Sequence, residues 1–170
     1  MKRIVISCES VTGNTRMLAE ALCGHLQSDN VKISLPEQID IDAYDMFIVG
    51  SWTDKGDCGV ATASMLERLH GKEVFLFGTC GFGGSESYFD SVIHRFAAHL
   101  SADNDLIGHY ICQGKLPETV LRRYEAMKAA NPNCSRWDES IENFNAALQH
   151  PDENDLHELC AAVNAVLTIE

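Results

Sequence analysis

The sequence predicts a three-layer α/β domain: a five-stranded parallel sheet in the order 2-1-3-4-5, with helices on both faces. Three observations point there. Short runs rich in Val, Ile, Leu and Phe alternate with longer segments of helical periodicity, as in a sheet joined by crossover helices. Most of the runs are continuously apolar, as strands buried on both faces require. A chain of 170 residues, without an internal repeat or linker, is long enough for one domain with a substantial core.

The first run, "RIVIS" (3–7), is a buried strand. Leu18, Ala21, Leu22, His25 and Leu26 follow it at helical spacing. "VKISL" (31–35) is an edge strand, with Lys32 and Ser34 alternating outward. "YDMFIVG" (44–50) is the third strand, "ATASMLERL" (61–69) a helix and "EVFLFG" (73–78) the fourth strand. Phe89, Val92, Ile93, Phe96 and Leu100 mark the next helix, with Ser85 as its cap. "GHYICQG" (108–114) is the fifth strand, and Pro117 opens another helix in the first-turn position that suits proline. Right-handed crossovers then set the strand order.

The tail is less regular. One domain spans 1–170, and about 131–170 read as a helical C-terminal extension packed on it. Trp137, Ile141, Phe144 and Leu148 share one helical face, either core or a docking surface. Pro151 starts a last helix with Leu156, Leu159, Cys160, Val163 and Leu167 inward.

A net charge of −12 argues against nucleic acid and against an anionic membrane surface, and favours basic partners. Seven cysteines with no CxxC pair fall mostly on apolar positions and read as reduced thiols acting as small hydrophobes. The apolar run at the N-terminus is too short for a signal peptide, and no segment approaches a membrane span. These features place the expectation in the cytoplasm. Seven histidines show no HxxxH or HExxH spacing, so no metal site is expected. A phosphorelay receiver needs an acidic pair after the first strand, where Glu9 stands alone before a hydroxyl-rich loop.

Three segments sit where the strands end. "SVTGNT" (10–15) offers hydroxyls and backbone amides at the start of a helix, where an anion is favoured. It lacks the lysine of GxxxxGK[ST], which disfavours a nucleoside triphosphate with magnesium. "GSWTDKGDCG" (50–59) carries Trp52, and "TCGFGGSESYF" (79–89) carries three glycines and Phe82. Each has an ordinary alternative: a capped turn, a tryptophan buried beneath its loop, a flexible glycine loop. Together they line one crevice, and a planar ligand bearing a phosphate accounts for all three.

At these residues the chain resembles a flavodoxin. Ser10-Val11-Thr12-Gly13-Asn14-Thr15 is similar to the family's [ST]-x-T-G-N-T phosphate loop, with Ala19 and Leu22 in matching helix positions. Gly50 to Asp57, with Trp52, Thr53, Asp54, Lys55 and Gly56, resembles the loop over one flavin face. Thr79-Cys80-Gly81-Phe82-Gly83-Gly84 resembles the loop at the other edge. The likeness covers roughly Lys2 to Lys115, and the long tail is similar to flavodoxin-domain proteins of anaerobic bacteria.

The resemblance implies FMN, with its phosphate on Ser10 to Thr15 and its ring between the second and third segments. It puts Trp52 or a neighbour beside the ring, makes Phe82 the substitute for the family's stacking tyrosine, and aims the Gly56 carbonyl at the flavin N5–H after one-electron reduction. It implies a single-electron carrier working between a reductase and a flavin or iron–sulfur enzyme, as a monomer or weak dimer. Two alternatives stay open: an FMN-dependent NAD(P)H oxidoreductase acting on quinone-like acceptors, and a binding module that keeps the fold without FMN.

Overall fold

The structure, a computed structural model, describes residues 2–27 and 31–167. Its central sheet is built from β1 (Ile4–Glu9), β2 (Lys32–Ser34), β3 (Met46–Asp54), β5 (Glu73–Cys80) and β6 (Asp105–Gln113). All neighbours pair in parallel, in the order β2-β1-β3-β5-β6, with a two-residue strand β4 (Asp57–Cys58) turned back antiparallel on β3. This is the expected five-stranded topology. The register sets Ile4 opposite Met46 and Glu9 opposite Ser51, so β1 and β3 start level and β3 runs on beyond β1 to Asp54.

The period of two along each strand divides the core. Val5, Phe47, Val49, Val74 and Leu76 face one side, against Met65, Leu66 and Leu69 around α2 (Val60–Leu66) and Val92, Ile93 and Phe96 of α3 (Glu86–Ala97). Ile6, Met46, Ile48, Phe75 and Phe77 face the other. There they meet Leu18, Ala19 and Leu22 of α1 (Asn14–Leu26) and Leu159 and Val163 of α6 (Glu153–Leu167). Each fully buried Leu or Phe contributes roughly 2 kcal/mol, so the two layers account for why continuous apolar strands persist here.

Several boundaries move. β1 runs to Glu9, β3 to Asp54, and β6 begins at Asp105 rather than Gly108. β2 is an edge strand, but Ile33 and Leu35 are exposed along with Lys32. Ser85 caps α3 by accepting the Tyr88 N–H at 3.2 Å, as expected. Pro117 takes the cap position of α4 (Glu118–Ala130), one residue earlier than the first turn.

The helical material after β6 falls into two parts. α4 packs on α5 (Ser135–Ala147), with the Tyr124 and Trp137 rings 6.3 Å apart and an ion pair from Lys128 to Asp138. The expected boundary near residue 131 lies in the turn between them. Of the Trp137 stripe, Phe144 is buried, Trp137 and Ile141 are half-buried, and Leu148 is exposed. α6 returns to the sheet and packs on α1 and β6. It starts in a reciprocal cap: Asp155 N–H donates to Asp152 Oδ1 at 3.0 Å, and Asp152 N–H donates to Asp155 Oδ2 at 2.8 Å.

Candidate functional site

β1, β3 and β5 deliver the three segments to the carboxyl edge of the sheet, at the point where strand order reverses between β1 and β3. The first segment turns from β1 into α1 through Gly13, whose φ of +90° is reached cheaply only by glycine. Gly13 N–H donates to Ser10 Oγ at 3.2 Å, which leaves the Ser10 hydroxyl proton free to donate. Among the described residues no side chain caps α1, so its first-turn amides are left without an intrahelical acceptor. Val11, Thr12 and Gly13 are exposed, while Asn14 and Thr15 are buried in the first turn of the helix.

Thr79 joins the three segments. Its hydroxyl pairs with Thr15 Oγ1 at 2.9 Å, and its carbonyl accepts from Thr53 Oγ1 at 2.9 Å. Asn14 Nδ2 donates to the Lys115 carbonyl at 2.9 Å and ties the helix start to the end of β6. Among the described residues, none donates to Asn14 Oδ1, buried beside it.

The second segment is a hairpin rather than a loop. Trp52, Thr53 and Asp54 extend β3, and Lys55 and Gly56, with φ of +51° and +87°, make the tight turn into β4. Trp52 is half-buried, and its indole N–H reaches Glu9 Oε1 at 3.5 Å. The other Glu9 oxygen accepts from the Thr62 amide at 2.8 Å and hydroxyl at 2.7 Å, which places a carboxylate on the first turn of α2. The Gly56 carbonyl faces α3, where Arg95 Nη1 lies 3.4 Å away. Asp54 and Lys55 are exposed.

His99 of the α3 end fastens the hairpin further. Its Nε2 is 3.1 Å from Asp57, and its Nδ1 is 3.3 Å from Glu67. Desolvation opposes its charge, but the hydrogen bonds to Asp57 and Glu67 and their charges outweigh it, so its pKa stands above the ordinary histidine value. Burial pushes the Cys8 and Cys80 thiols beside the site up to about 12, so both are neutral hydrophobes.

In the third segment Thr79 and Cys80 are buried, Gly81 and Gly83 are half-buried, and Phe82 is 48% exposed. Sequence reasoning missed Glu9, Arg95, His99, Gln113 and Asn143. Glu9 adjoins the loop motif, but its role depends on α2; the others act across distances no local pattern reveals.

Fold and site together define an α/β protein whose switch-point crevice offers a helix start and hydroxyls to an anion. The chain belongs to the flavodoxin-domain family, whose model, described as "Flavodoxin domain", matches residues 5–164. It is 32% identical over 162 residues to the flavodoxin-like domain-containing protein BilS of Clostridioides difficile (strain CD3), covering 93% of this chain and 92% of that one. Two solved structures share the fold. Oxidised flavodoxin 2 from Bacillus cereus aligns with a TM-score of 0.56 at 19% identity, over 97% of this chain and 95% of that one. The Fusobacterium nucleatum flavodoxin bound to flavin mononucleotide aligns with a TM-score of 0.50 at 15% identity, over 86% and 96%.

Proposed function

We propose that this chain binds FMN at the carboxyl edge of its sheet and passes single electrons between a reductase and a redox enzyme. The observation that carries this reading is the uncapped start of α1 beside Ser10 and Thr12, stitched to the third segment through Thr15 and Thr79. The residues fit the cofactor's phosphate: α1 supplies amides and a positive dipole end, and Ser10 and Thr12 supply hydroxyls. Homology to flavodoxins supports the same assignment.

When bound, FMN supplies a flavin that takes up electrons singly. The chain's own residues then have defined tasks. Ser10, Thr12 and the amides after Gly13 hold the phosphate, with Val11 at the exposed crest of the loop. Thr15 and Thr79 fix the distance between the phosphate end and the ring end. Trp52, half-buried, and Phe82, exposed, are the aromatic side chains that the second and third segments would offer to the ring. The Glu9 carboxylate, held by Thr62 and Trp52 beside the first segment, would disfavour negative charge on the ring.

The net charge of −12 steers the protein toward basic faces of its partners, a cytoplasmic reductase and a flavin or iron–sulfur enzyme, so electron transfer slows as salt rises. The test is stepwise reduction of the FMN-loaded protein without oxygen. The account expects a long-wavelength absorption band that rises and then falls, the sign of separated one-electron steps. Direct passage to fully reduced flavin favours the two-electron NAD(P)H oxidoreductase instead, and failure to bind FMN overturns both.

A further inference from the structure

The backbone of the third segment is held by side chains from outside it. The Gly81 carbonyl accepts two amide donors, Asn143 Nδ2 at 2.9 Å and Gln113 Nε2 at 3.2 Å. Gly83 N–H donates to Asn143 Oδ1 at 3.2 Å, and Gln113 Nε2 donates to the same oxygen at 3.0 Å. The Phe82 carbonyl accepts from the Cys80 thiol at 3.0 Å. One side chain of α5 thus satisfies a carbonyl and an amide two residues apart, and Gln113, at the end of β6 and 9% exposed, braces it.

Phe82 lies between the two clasped glycines; it is exposed, and its ring meets the Tyr88 ring edge-on with centroids 6.4 Å apart. From this the geometry points to a positioning role: Asn143 and Gln113 clasp the 81–83 backbone and so present Phe82 as a preformed face for the planar ring of the ligand. The inference rests on the FMN reading above. A segment with glycines at 81, 83 and 84 loses much conformational freedom when ordered, and the clasp meets that cost before the ligand arrives.

The clasp also determines what the segment offers. The Gly81 carbonyl, the Phe82 carbonyl and the Gly83 N–H all have partners within the protein. The Gly81 carbonyl, which has two donors, and the Gly83 N–H are therefore withdrawn from the ring's polar edge, and the contact at this side is made by the Phe82 face. The α4–α5 pair, peripheral to the sheet, becomes part of the site through Asn143.

The experiment has two readouts on the full chain. In flavin-free protein, amide exchange at Gly83 is expected to be slower than at Gly84 by about tenfold or more, and the difference disappears in Asn143→Ala. In parallel, FMN and riboflavin are titrated into wild type, Asn143→Ala and Asn143→Asp, with visible absorbance and fluorescence followed. Asn143→Ala weakens both flavins by the same factor, about tenfold, because the loss is at the ring end they share. Asn143→Asp keeps the acceptor for Gly83 and loses the donor to Gly81, so it falls between.

Ala is a better helix former than Asn, so the first variant does not weaken α5 itself; the near-isosteric Asp variant is the second route should it fail to fold. A Gly83 amide that exchanges freely in wild type overturns the clasp. Variants that bind both flavins as wild type does overturn the positioning role while leaving the FMN reading intact. A wild type that takes up no flavin overturns that reading, and the ring-presenting role with it.

Discussion

The segment from Ser10 to Thr15 is shaped from within. Gly13 bonds to Ser10 three residues before it, and the helix that follows supplies the amides. The segment from Gly81 to Gly83 is shaped from without, by Gln113 about thirty residues on and Asn143 about sixty on. On the proposed FMN reading, the difference matches what each end would recognise. A phosphate is the same anion in any cofactor, and a helix start with a few hydroxyls is enough to hold it. A ring bound for electron transfer must sit against specific faces, and a glycine-rich backbone holds no such face without support. The two ends meet at the Thr15–Thr79 hydroxyl pair, which makes that contact the place to separate them.

Breaking the pair is expected to have the largest effect. Thr15→Val strands the Thr79 hydroxyl, which is 4% exposed, and costs about 1–3 kcal/mol in urea unfolding. The double change Thr15→Val with Thr79→Val leaves neither hydroxyl stranded and is expected to recover much of that loss. Equal instability of the single and double variants would show that the pair does not couple the two ends.

A smaller effect is expected where the second segment is anchored. Glu9→Ala removes the carboxylate from the first turn of α2 and the partner of the Trp52 indole. It should cost about 1–2 kcal/mol, with a shift in Trp52 fluorescence. An unchanged melting temperature with unchanged fluorescence would count against Glu9 as the anchor.

The smallest effect concerns the hairpin and pH. His99, just beyond α3, faces Asp57 of β4 and Glu67 beyond α2, with Arg95 of α3 near the Gly56 carbonyl. Its folded pKa lies above the unfolded value, near 6.5, so its contribution is full below that value and is lost as pH rises through the raised one. Asp57 titrates the opposite way. Desolvation tends to raise its pKa, but hydrogen bonds from His99 and the Cys58 amide bring it below the ordinary value. Its contribution is present above the usual carboxylate range and is lost as pH falls through the lowered pKa. The melting temperature should decline more from mildly acidic to mildly alkaline pH for wild type than for His99→Gln; parallel curves would contradict the role of His99 in fastening the hairpin.

How much of this was legible in the sequence follows the same division. Three strands, β1, β3 and β5, announced themselves as continuous apolar runs because both faces are covered, and the SVTGNT motif marked its own turn and helix start. The extension of β3 to Asp54 was not foreseen, since its apolar run stops at Gly50 and the DKGD turn acts only with β4 as partner. Glu9 and Asn143 carry no local signal of their roles. One depends on where α2 begins, the other on how α5 brings Asn143 to Gly81, Gly83 and Gln113, and both are facts of packing. The tail divided differently for the same reason: the helical pattern shows α4, α5 and α6, but only the contacts show that α6 completes the layer with α1.

The most direct test of the account is the affinity of the wild-type chain for FMN against riboflavin, measured by calorimetry at one salt concentration. If the phosphate is held by the α1 start and the hydroxyls of the first segment, FMN binds tighter by about a hundredfold or more. Equal affinity for the two would mean that the first segment does not hold the phosphate, and the central claim would fall.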